Sequence, residues 1–149
     1  MASEAKLVGI NHVALEVADI DQALQLYGRL FEFELRGRIG ERMAFIDMGD
    51  QFLALSAGGS EAPDEDRHFG LVVDDKEAAR DAVEREGLEW WGSRGGGLTF
   101  RDPWGNQVQV VDYREIQFER TPAVKRALGI EGVEKTDKAS AEIEEKGLG

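Results

Sequence analysis

The chain has 149 residues, of which 42 % are apolar, enough for one domain or for two small halves that share a core. With 30 Asp and Glu against 18 Lys and Arg, its formal charge is −12, which argues against general nucleic-acid binding or an anionic membrane surface. There is no cysteine, and this excludes disulfides, thiolate nucleophiles and Cys-ligated metal sites.

The apolar runs and the first residues also bear on where the protein works. No apolar run approaches the roughly 20 residues of a membrane span. The stretch 1–7 is short and polar, unlike a signal peptide. We therefore expect a cytoplasmic protein with no membrane and no nucleic-acid partner.

The first third of the chain has one strand, one helix and three further strands. Residues 10–17 alternate in part between apolar and polar, which is typical of a strand. Asp19 and Asp21 are candidate caps for a helix that runs to about Leu30 with apolar residues at 3/4 spacing. Three short strands follow, separated by glycine turns: 33–38, 42–48 and 51–56.

The same order recurs after a polar linker. The segment that begins at His68 resembles the one that begins at His12, 56 residues earlier, and a second stretch matches at an offset of 55. The predicted elements are a strand, a helix ended by Gly87, and three strands: 67–73, 76–86, 89–92, 97–101 and 107–113. The domain 1–113 therefore consists of two βαβββ modules, 8–57 and 66–113.

The remaining residues, 114–149, form a C-terminal helical extension. Thr121 before Pro122 is a helix start and Gly129 a helix end, which predicts a helix over 122–128. A second helix is predicted over 137–146. Its apolar content is thin, so a mostly solvated helix is favoured over a helix that docks on a partner.

Both histidines of the chain occupy the equivalent place in the repeat, which argues against accident. Alternation along the first strand places His12, Ala14 and Glu16 on one face, and the Val/Leu face must pack under the helix. The second module places His68 and Gly70 in the same way. On the last strands, Ala54 and Gln109 share the histidine faces. Two imidazoles with oxygen ligands make a reasonable site for a divalent metal.

Three segments resemble the vicinal oxygen chelate superfamily, which includes glyoxalase I, fosfomycin-resistance enzymes, extradiol dioxygenases and bleomycin-resistance proteins. They are Ile10-Asn-His-Val-Ala-Leu-Glu-Val17, Arg67-His-Phe-Gly-Leu-Val-Val73 and Phe100-Arg-Asp-Pro-Trp-Gly-Asn-Gln-Val-Gln-Val110. The resemblance covers about residues 8–113. It implies an α+β fold in which two βαβββ modules form a curved, mostly antiparallel, eight-stranded sheet around a cavity, with the helices on the outer face.

The resemblance also implies which residues hold a metal. His12 and His68 match the family's histidine ligands, whereas the two carboxylate positions fall on Ala54 and Gln109. A bound Zn, Ni, Mn or Fe ion would then rest on His12, His68 and, more weakly, the amide oxygen of Gln109. Glu16 lies four residues from His12, about 13 Å along the strand, too far to substitute.

Other side chains on the predicted cavity face are candidates for contact with a substrate. The neighbouring Trp90 and Trp91 must lie on opposite faces of their strand, so one of them packs in the core, and we assign Trp91 to the cavity. Arg38 and Arg101 could meet an anionic substrate, although a surface ion pair is the more ordinary role for each. The candidate substrate-binding residues are Phe52, Ser56, Trp91, Arg101 and Gln107.

Two functions remain open, and a third is weaker. The first is a glyoxalase-like lyase or isomerase that acts through a divalent metal on a small molecule with vicinal oxygens. The alternative is a metal-free drug-binding protein of the bleomycin-resistance type, which the missing carboxylates and the acidic chain would suit. A dioxygenase-like enzyme is less favoured, because ring-cleaving chemistry normally uses two histidines and one carboxylate. We expect a homodimer, since the exposed edges of a curved sheet favour pairing.

Overall fold

The computed structural model describes residues 5, 10–58, 62–93 and 96–148. Residues 8 and 9, where the first module is predicted to begin, and linker residues 59–61 lie outside the described part. The strands are β1 (His12–Val17), β2 (Leu35–Ile39), β3 (Met43–Asp47), β4 (Phe52–Ala57), β5 (Phe69–Val73), β6 (Glu89–Gly92), β7 (Leu98–Arg101) and β8 (Gln107–Asp112). The helices are α1 (Ile20–Leu30), α2 (Lys76–Arg85), α3 (Pro122–Leu128) and α4 (Asp137–Glu145), with a 3-10 turn at Tyr113–Glu115.

The strands form two separate sheets with the same topology. Their orders are β1-β4-β3-β2 and β5-β8-β7-β6. In each sheet the first and last strands of the module pair in parallel and the other two pairings are antiparallel. The α+β class and the two βαβββ modules are confirmed. The single eight-stranded sheet is wrong, because among the described strands β1 and β5 each end a four-stranded sheet and do not pair with each other.

The helix of each module begins where the sequence predicts. The side chain of Asp19 accepts a hydrogen bond from the backbone N–H of Gln22 and so caps α1, and Asp75 caps α2 through Ala78. Helix α2 ends before Gly87, whose φ of +68° suits a residue without a Cβ. In each module, two residues therefore separate the first strand from the helix, and the second of them is the cap.

Helix α1 belongs to the cores of both modules. Its residues Ile20, Ala23 and Tyr27 pack with the apolar sides of β1, β3 and β4. Leu26 and Leu30, on the neighbouring stripe of the helix, pack instead with α2, β7 and β8. The two modules are therefore held together by a shared hydrophobic core. Burial of apolar surface stabilises such a junction by about 25 cal/mol for each Å².

Two connecting segments cover equivalent turns of the two modules. The linker before β5 packs on the β7–β8 turn, where the N–H of Asp64 donates to the carbonyl of Gly105 at 2.8 Å. The segment after β8 packs on the β3–β4 turn, where Arg120 forms an ion pair with Asp50 at 2.6 Å. The C-terminal extension is thus the second module's counterpart of the linker, and it returns to the first module.

The helices of the extension match the predicted ones, and the second buries two apolar side chains. Thr121 caps α3, and Gly129 ends it with a φ of +71°. Helix α4 buries Ala139 and Ile143, while most of its other residues are exposed, as expected of a mostly solvated helix. None of the helices in the described ranges is long and apolar enough to cross a membrane.

Candidate functional site

The strand register places the predicted site residues on one face of each sheet. His12 pairs with Phe52 and Ala14 with Ala54 in the parallel β1–β4 ladder. In the second module Gly70 pairs with Gln109. Because residues paired across strands point to the same side, the sequence assignment of these faces is confirmed. We call these two surfaces, one on each sheet, the histidine face.

The His12 ring lies flat on a phenylalanine. It stacks on Phe52 with a centroid distance of 4.6 Å and an interplanar angle of 8°. Its Nδ1 lies 2.9 Å from the side-chain oxygen of Asn11. Phe45 contacts the same phenylalanine edge-on at 5.7 Å, and the Arg36 guanidinium lies 4.7 Å from its ring centroid. These contacts fix the plane of the imidazole, and the residue remains exposed.

His68 lies one residue before β5 and is also exposed. Its Nδ1 is 2.9 Å from the backbone carbonyl oxygen of Asp66. A carbonyl oxygen can only accept, so Nδ1 must carry the proton and Nε2 must hold a lone pair in the neutral ring. Histidines that bind metals usually present the same arrangement, with the second ring nitrogen donating to an oxygen.

The carboxylates that would complete such a site are missing from the histidine face at the matched positions. Ala54 is 2 % exposed and pairs with Phe45 on the next strand. Gln109 is half-buried between Gly70 and Thr99. Within the described ranges, no group of three or more His, Asp or Glu side chains is arranged to hold a metal ion. Any metal here would therefore depend on the two imidazoles and neutral oxygen atoms.

The predicted substrate-binding residues differ in how accessible they are. Trp91 is 41 % exposed, and its partner in the ladder, Thr99, is also the partner of Gln109. Trp90 packs in the second core instead. Ser56 is half-buried opposite Glu16.

Arg101 and Gln107 are held by the chain itself. The Arg101 guanidinium donates to the carbonyl of Asp64 and lies 3.4 Å from the Glu89 carboxylate. The side-chain oxygen of Gln107, a residue only 9 % exposed, lies 3.4 Å from the same guanidinium. Arg38 likewise pairs with Asp21 at 2.8 Å. Arg38 and Arg101 are therefore both paired with carboxylates of the chain, which is the surface ion-pair role described above.

The sequence interpretation missed Arg36 and Phe45, which contact the Phe52 ring on which His12 stacks. The register between β2 and β3 shifts between Leu35 and Gly37, so simple alternation along β2 does not give the correct face. Phe45 could have been found, because it lies two residues from Met43 and Asp47 on a strand with a clear period of two.

The closing motif contributes structure rather than an exposed site. The carboxylate of Asp102, 3 % exposed, accepts hydrogen bonds from the Tyr27 hydroxyl at 2.9 Å and from Trp104 and Asn106. The Asn106 amide also donates to the carbonyl of Glu16 at 2.8 Å. The motif therefore joins the second module to α1 and β1 of the first.

Burial sets the protonation behaviour of this junction. Burial and the adjacent Asp102 carboxylate hold the pKa of Tyr27 well above its usual value. Burial also raises the pKa of Asp102, although the hydrogen bonds from Asn106, Tyr27 and Trp104 act in the opposite direction. The Tyr27 phenol therefore keeps its proton and donates it to Asp102 in a hydrogen bond that joins the two modules.

Two open pockets lie on different sides of the molecule. One, of about 360 Å³, is on the helix side between α1, the end of α2 and the Pro103-Trp104 turn. The other, of about 220 Å³, adjoins the histidine face at Gln109. Its lining consists of Lys76, Gly96, Gly97, Gln109, Val110, Val111, Asp112, Glu115 and Ile116. Neither pocket includes a histidine.

Comparison with known proteins identifies the family. The model of the Glyoxalase/Bleomycin resistance protein/Dioxygenase superfamily matches residues 9–110. A comparison with curated protein sequences gives no match.

Solved structures share the fold at low identity. Lactoylglutathione lyase from Agrobacterium tumefaciens is 23 % identical with a TM-score of 0.54, matched over 72 % of this chain and 96 % of that one. The fosfomycin resistance protein FosX from Listeria monocytogenes is 13 % identical with a TM-score of 0.60, over 80 % and 99 %. A protein of the mobile metagenome of V. Pseudocholerae is 24 % identical with a TM-score of 0.56, over 74 % and 98 %. Since the family model spans most of the chain, with both histidines and the closing motif, the protein belongs to the Glyoxalase/Bleomycin resistance protein/Dioxygenase superfamily.

Proposed function

We propose that the protein is a small-molecule enzyme of the glyoxalase type, a lyase or isomerase, that uses a divalent metal on its histidine face. The ligands would be Nε2 of His12, Nε2 of His68 and, more weakly, the amide oxygen of Gln109. The observation that supports this most is the hydrogen bond from His68 Nδ1 to a backbone carbonyl, which leaves the Nε2 lone pair free. The contact between His12 Nδ1 and the Asn11 side chain suits the same tautomer.

The donor set fits a divalent cation in kind but leaves its charge uncompensated. Imidazole and amide donors suit Zn, Ni, Mn or Fe, and none of the three proposed ligands is an anion. We therefore expect an anionic oxygen of the substrate, or hydroxide, to complete the shell. A bound metal would supply Lewis-acid stabilisation of an oxyanion or enolate.

The chain's own residues would orient the reactants. The stack of His12 on Phe52 prevents rotation of the imidazole, and Trp91 offers a partly exposed apolar surface on the second sheet. Arg36 packs its guanidinium on the Phe52 ring, and Asp47 balances its charge through an ion pair of 3.0 Å.

The test is metal binding by protein purified without chelators. We expect calorimetry with Mn, Ni, Zn and Fe(II), in excess Mg to suppress nonspecific sites, to show one site per chain. The site should be lost in the H12A/H68A double variant and kept in Glu16→Gln, a carboxylate on the same face as His12. Equal binding by the wild type and the double variant, or no binding by either, would overturn the proposal.

Gln109→Glu should tighten metal binding at least tenfold. A carboxylate oxygen at about 2–3 Å from a divalent ion contributes several kcal/mol more than an amide oxygen, even at an effective dielectric constant near 20. The measurement is the same titration, with Gln25→Glu at an exposed position of α1 as the control for added charge. Unchanged affinity would mean that Gln109 does not face the metal.

A metal-free binding protein of the bleomycin-resistance type is the second candidate. The observation that favours it is the aromatic group formed by His12, Phe52 and Phe45, which has the character of a stacking surface. If this candidate is correct, small-molecule binding should persist after metal ions are removed with a chelator and in the H12A/H68A variant. Binding should weaken in Phe52→Ala.

A further inference from the structure

The histidine face continues beyond Gln109 into the pocket of about 220 Å³ at the end of β8. Residues 109–112 of β8 line it, and alternation places Gln109 and Val111 on the histidine face and Val110 and Asp112 on the helix side. Lys76, the first residue of α2, lines it next to Asp112. The pocket therefore lies at the end of β8, where it adjoins the histidine face and includes a cationic side chain.

The Lys76 side chain is only 8 % exposed, and its ammonium is paired with a carboxylate from the chain. Nζ lies 3.0 Å from a carboxylate oxygen of Glu115, whose own side chain is 49 % exposed. A buried ammonium requires such a partner, since an unpaired charge out of water is costly. Glu115 has no such requirement, because water can solvate its carboxylate as soon as another anion takes its place.

The other charged group of the pocket is already neutralised. Asp112 is 2 % exposed, and the Arg114 guanidinium contacts both of its carboxylate oxygens at 2.9 and 2.8 Å. Its second oxygen also accepts from the backbone N–H of Lys76 at 3.0 Å. Burial acts to raise the pKa of Asp112, but these bonds prevail and lower it to about 2. The charge of Lys76 is thus balanced by Glu115 rather than by Asp112.

These observations indicate that another anion can replace Glu115 as the partner of Lys76, at a fixed distance from the proposed metal ligands. Along β8, Asp112 comes three residues after Gln109, which corresponds to about 10 Å at 3.3 Å for each residue. His68 lies in the opposite direction from Gln109. Phe69 pairs with Val108, so His68 falls next to Gln107, two residues before Gln109. A molecule that spans both places would need an elongated shape and two polar ends.

We propose that Lys76 binds the anionic end, a carboxylate or phosphate, of an elongated substrate, and that Glu115 occupies its place in the free protein. The role in catalysis rests on the function proposed above; the anion site itself does not. The overall charge of −12 repels anions from most of the surface, so a buried lysine beside an exposed and displaceable carboxylate would decide which substrates bind. Lys76 is a specificity-determining residue in this scheme.

The test is an NMR titration of the metal-free protein with inorganic phosphate and, separately, acetate, at constant ionic strength with chloride. We expect saturable shifts at the amides of Gly97, Val111 and Glu115. Lys76→Met should abolish them, and Glu115→Gln should tighten binding about fivefold, because the competing carboxylate is gone. Lys138→Met, at an exposed lysine, should change nothing. The stronger of the two probes identifies the anionic group.

The two proposals can fail separately. Shifts that persist in Lys76→Met, or a Glu115→Gln variant that binds no tighter than the wild type, would overturn the anion site. Since Glu115→Gln leaves the buried lysine in place, a misfolded Lys76→Met variant would not remove the test. Phosphate binding by the H12A/H68A variant, with no metal bound by the wild type, would support the anion site and overturn the metal-dependent function.

Discussion

Replacing Asp102 with alanine should lower the free energy of unfolding by about 4 kcal/mol. The variant removes the acceptor of hydrogen bonds from the Tyr27 hydroxyl, the Asn106 side chain and two backbone N–H groups in a site that is 3 % exposed. Each buried donor left without a partner costs about 1–3 kcal/mol, and the turn gives some of them access to water. Urea unfolding followed by far-UV circular dichroism would measure the loss.

The internal repeat supplies a matched control. Asp47 is the counterpart of Asp102 at the offset of 55, but it forms an ion pair with Arg36 in which both side chains are about one third exposed. Asp47→Ala should therefore cost less than about 1 kcal/mol. Tyr27→Phe, which removes a single donor from the Asp102 carboxylate, should cost about 2 kcal/mol. Equal losses for Asp47→Ala and Asp102→Ala would contradict this account of the module junction.

The pH dependence of the same site has a defined sign. Burial raises the pKa of Asp102, so the folded state holds this proton more tightly than the unfolded state does. The linked stability is fully present below pH 3.8, the ordinary value for an aspartate, and is lost as the pH rises through the raised value. The stability of the wild type relative to Asp102→Asn should thus be greater at pH 4 than at pH 7.

Local signals predicted the elements well, because the residues that begin and end them lie within the same few positions. Asp19 begins α1 and Thr121 begins α3, each through a hydrogen bond to a backbone N–H three residues later. Gly87 and Gly129 follow helix ends with positive φ. Alternation likewise gave the histidine face, since a period of two is a property of any extended strand.

Long-range features were not predictable from the same signals. The division into two sheets depends on which strand edges meet. No local sequence pattern indicates that β1 and β5 do not pair with each other. The partnership of Tyr27 with Asp102 joins residues 75 positions apart. The contact of Arg36 with Phe52 was not predicted, because the register between β2 and β3 is irregular at this residue. For the candidate site, the sequence places the two histidines at equivalent positions of the two modules. The Lys76 pocket could not be predicted, because part of its lining comes from the segment after β8, whose path has no local signal.

The C-terminal extension depends on one ammonium group. Nζ of Lys135 donates to the carbonyl oxygens of Tyr113, Ile116 and Phe118 at 2.5, 2.9 and 2.6 Å, and it lies 3.6 Å from the Tyr113 ring centroid. Next to it, the N–H of Thr136 donates to the carbonyl of Arg114 at 2.8 Å. These bonds set the start of α4 against the turn that follows β8.

Lys135→Met should therefore release α4 from the domain. The variant keeps the length of the side chain but loses three charge-assisted hydrogen bonds and a cation–π contact, and water can solvate the three carbonyls only if the segment opens. We expect about 3 kcal/mol less protection, which corresponds to roughly 100-fold faster amide hydrogen exchange across Asp137–Glu145. Lys138→Met makes the same substitution at an exposed position of α4 and should leave the exchange rates within about twofold of the wild type. If both variants exchange at the same rate, the ammonium does not hold the extension, and the buried Ala139 and Ile143 and the bond from Thr136 to Arg114 hold it without Lys135.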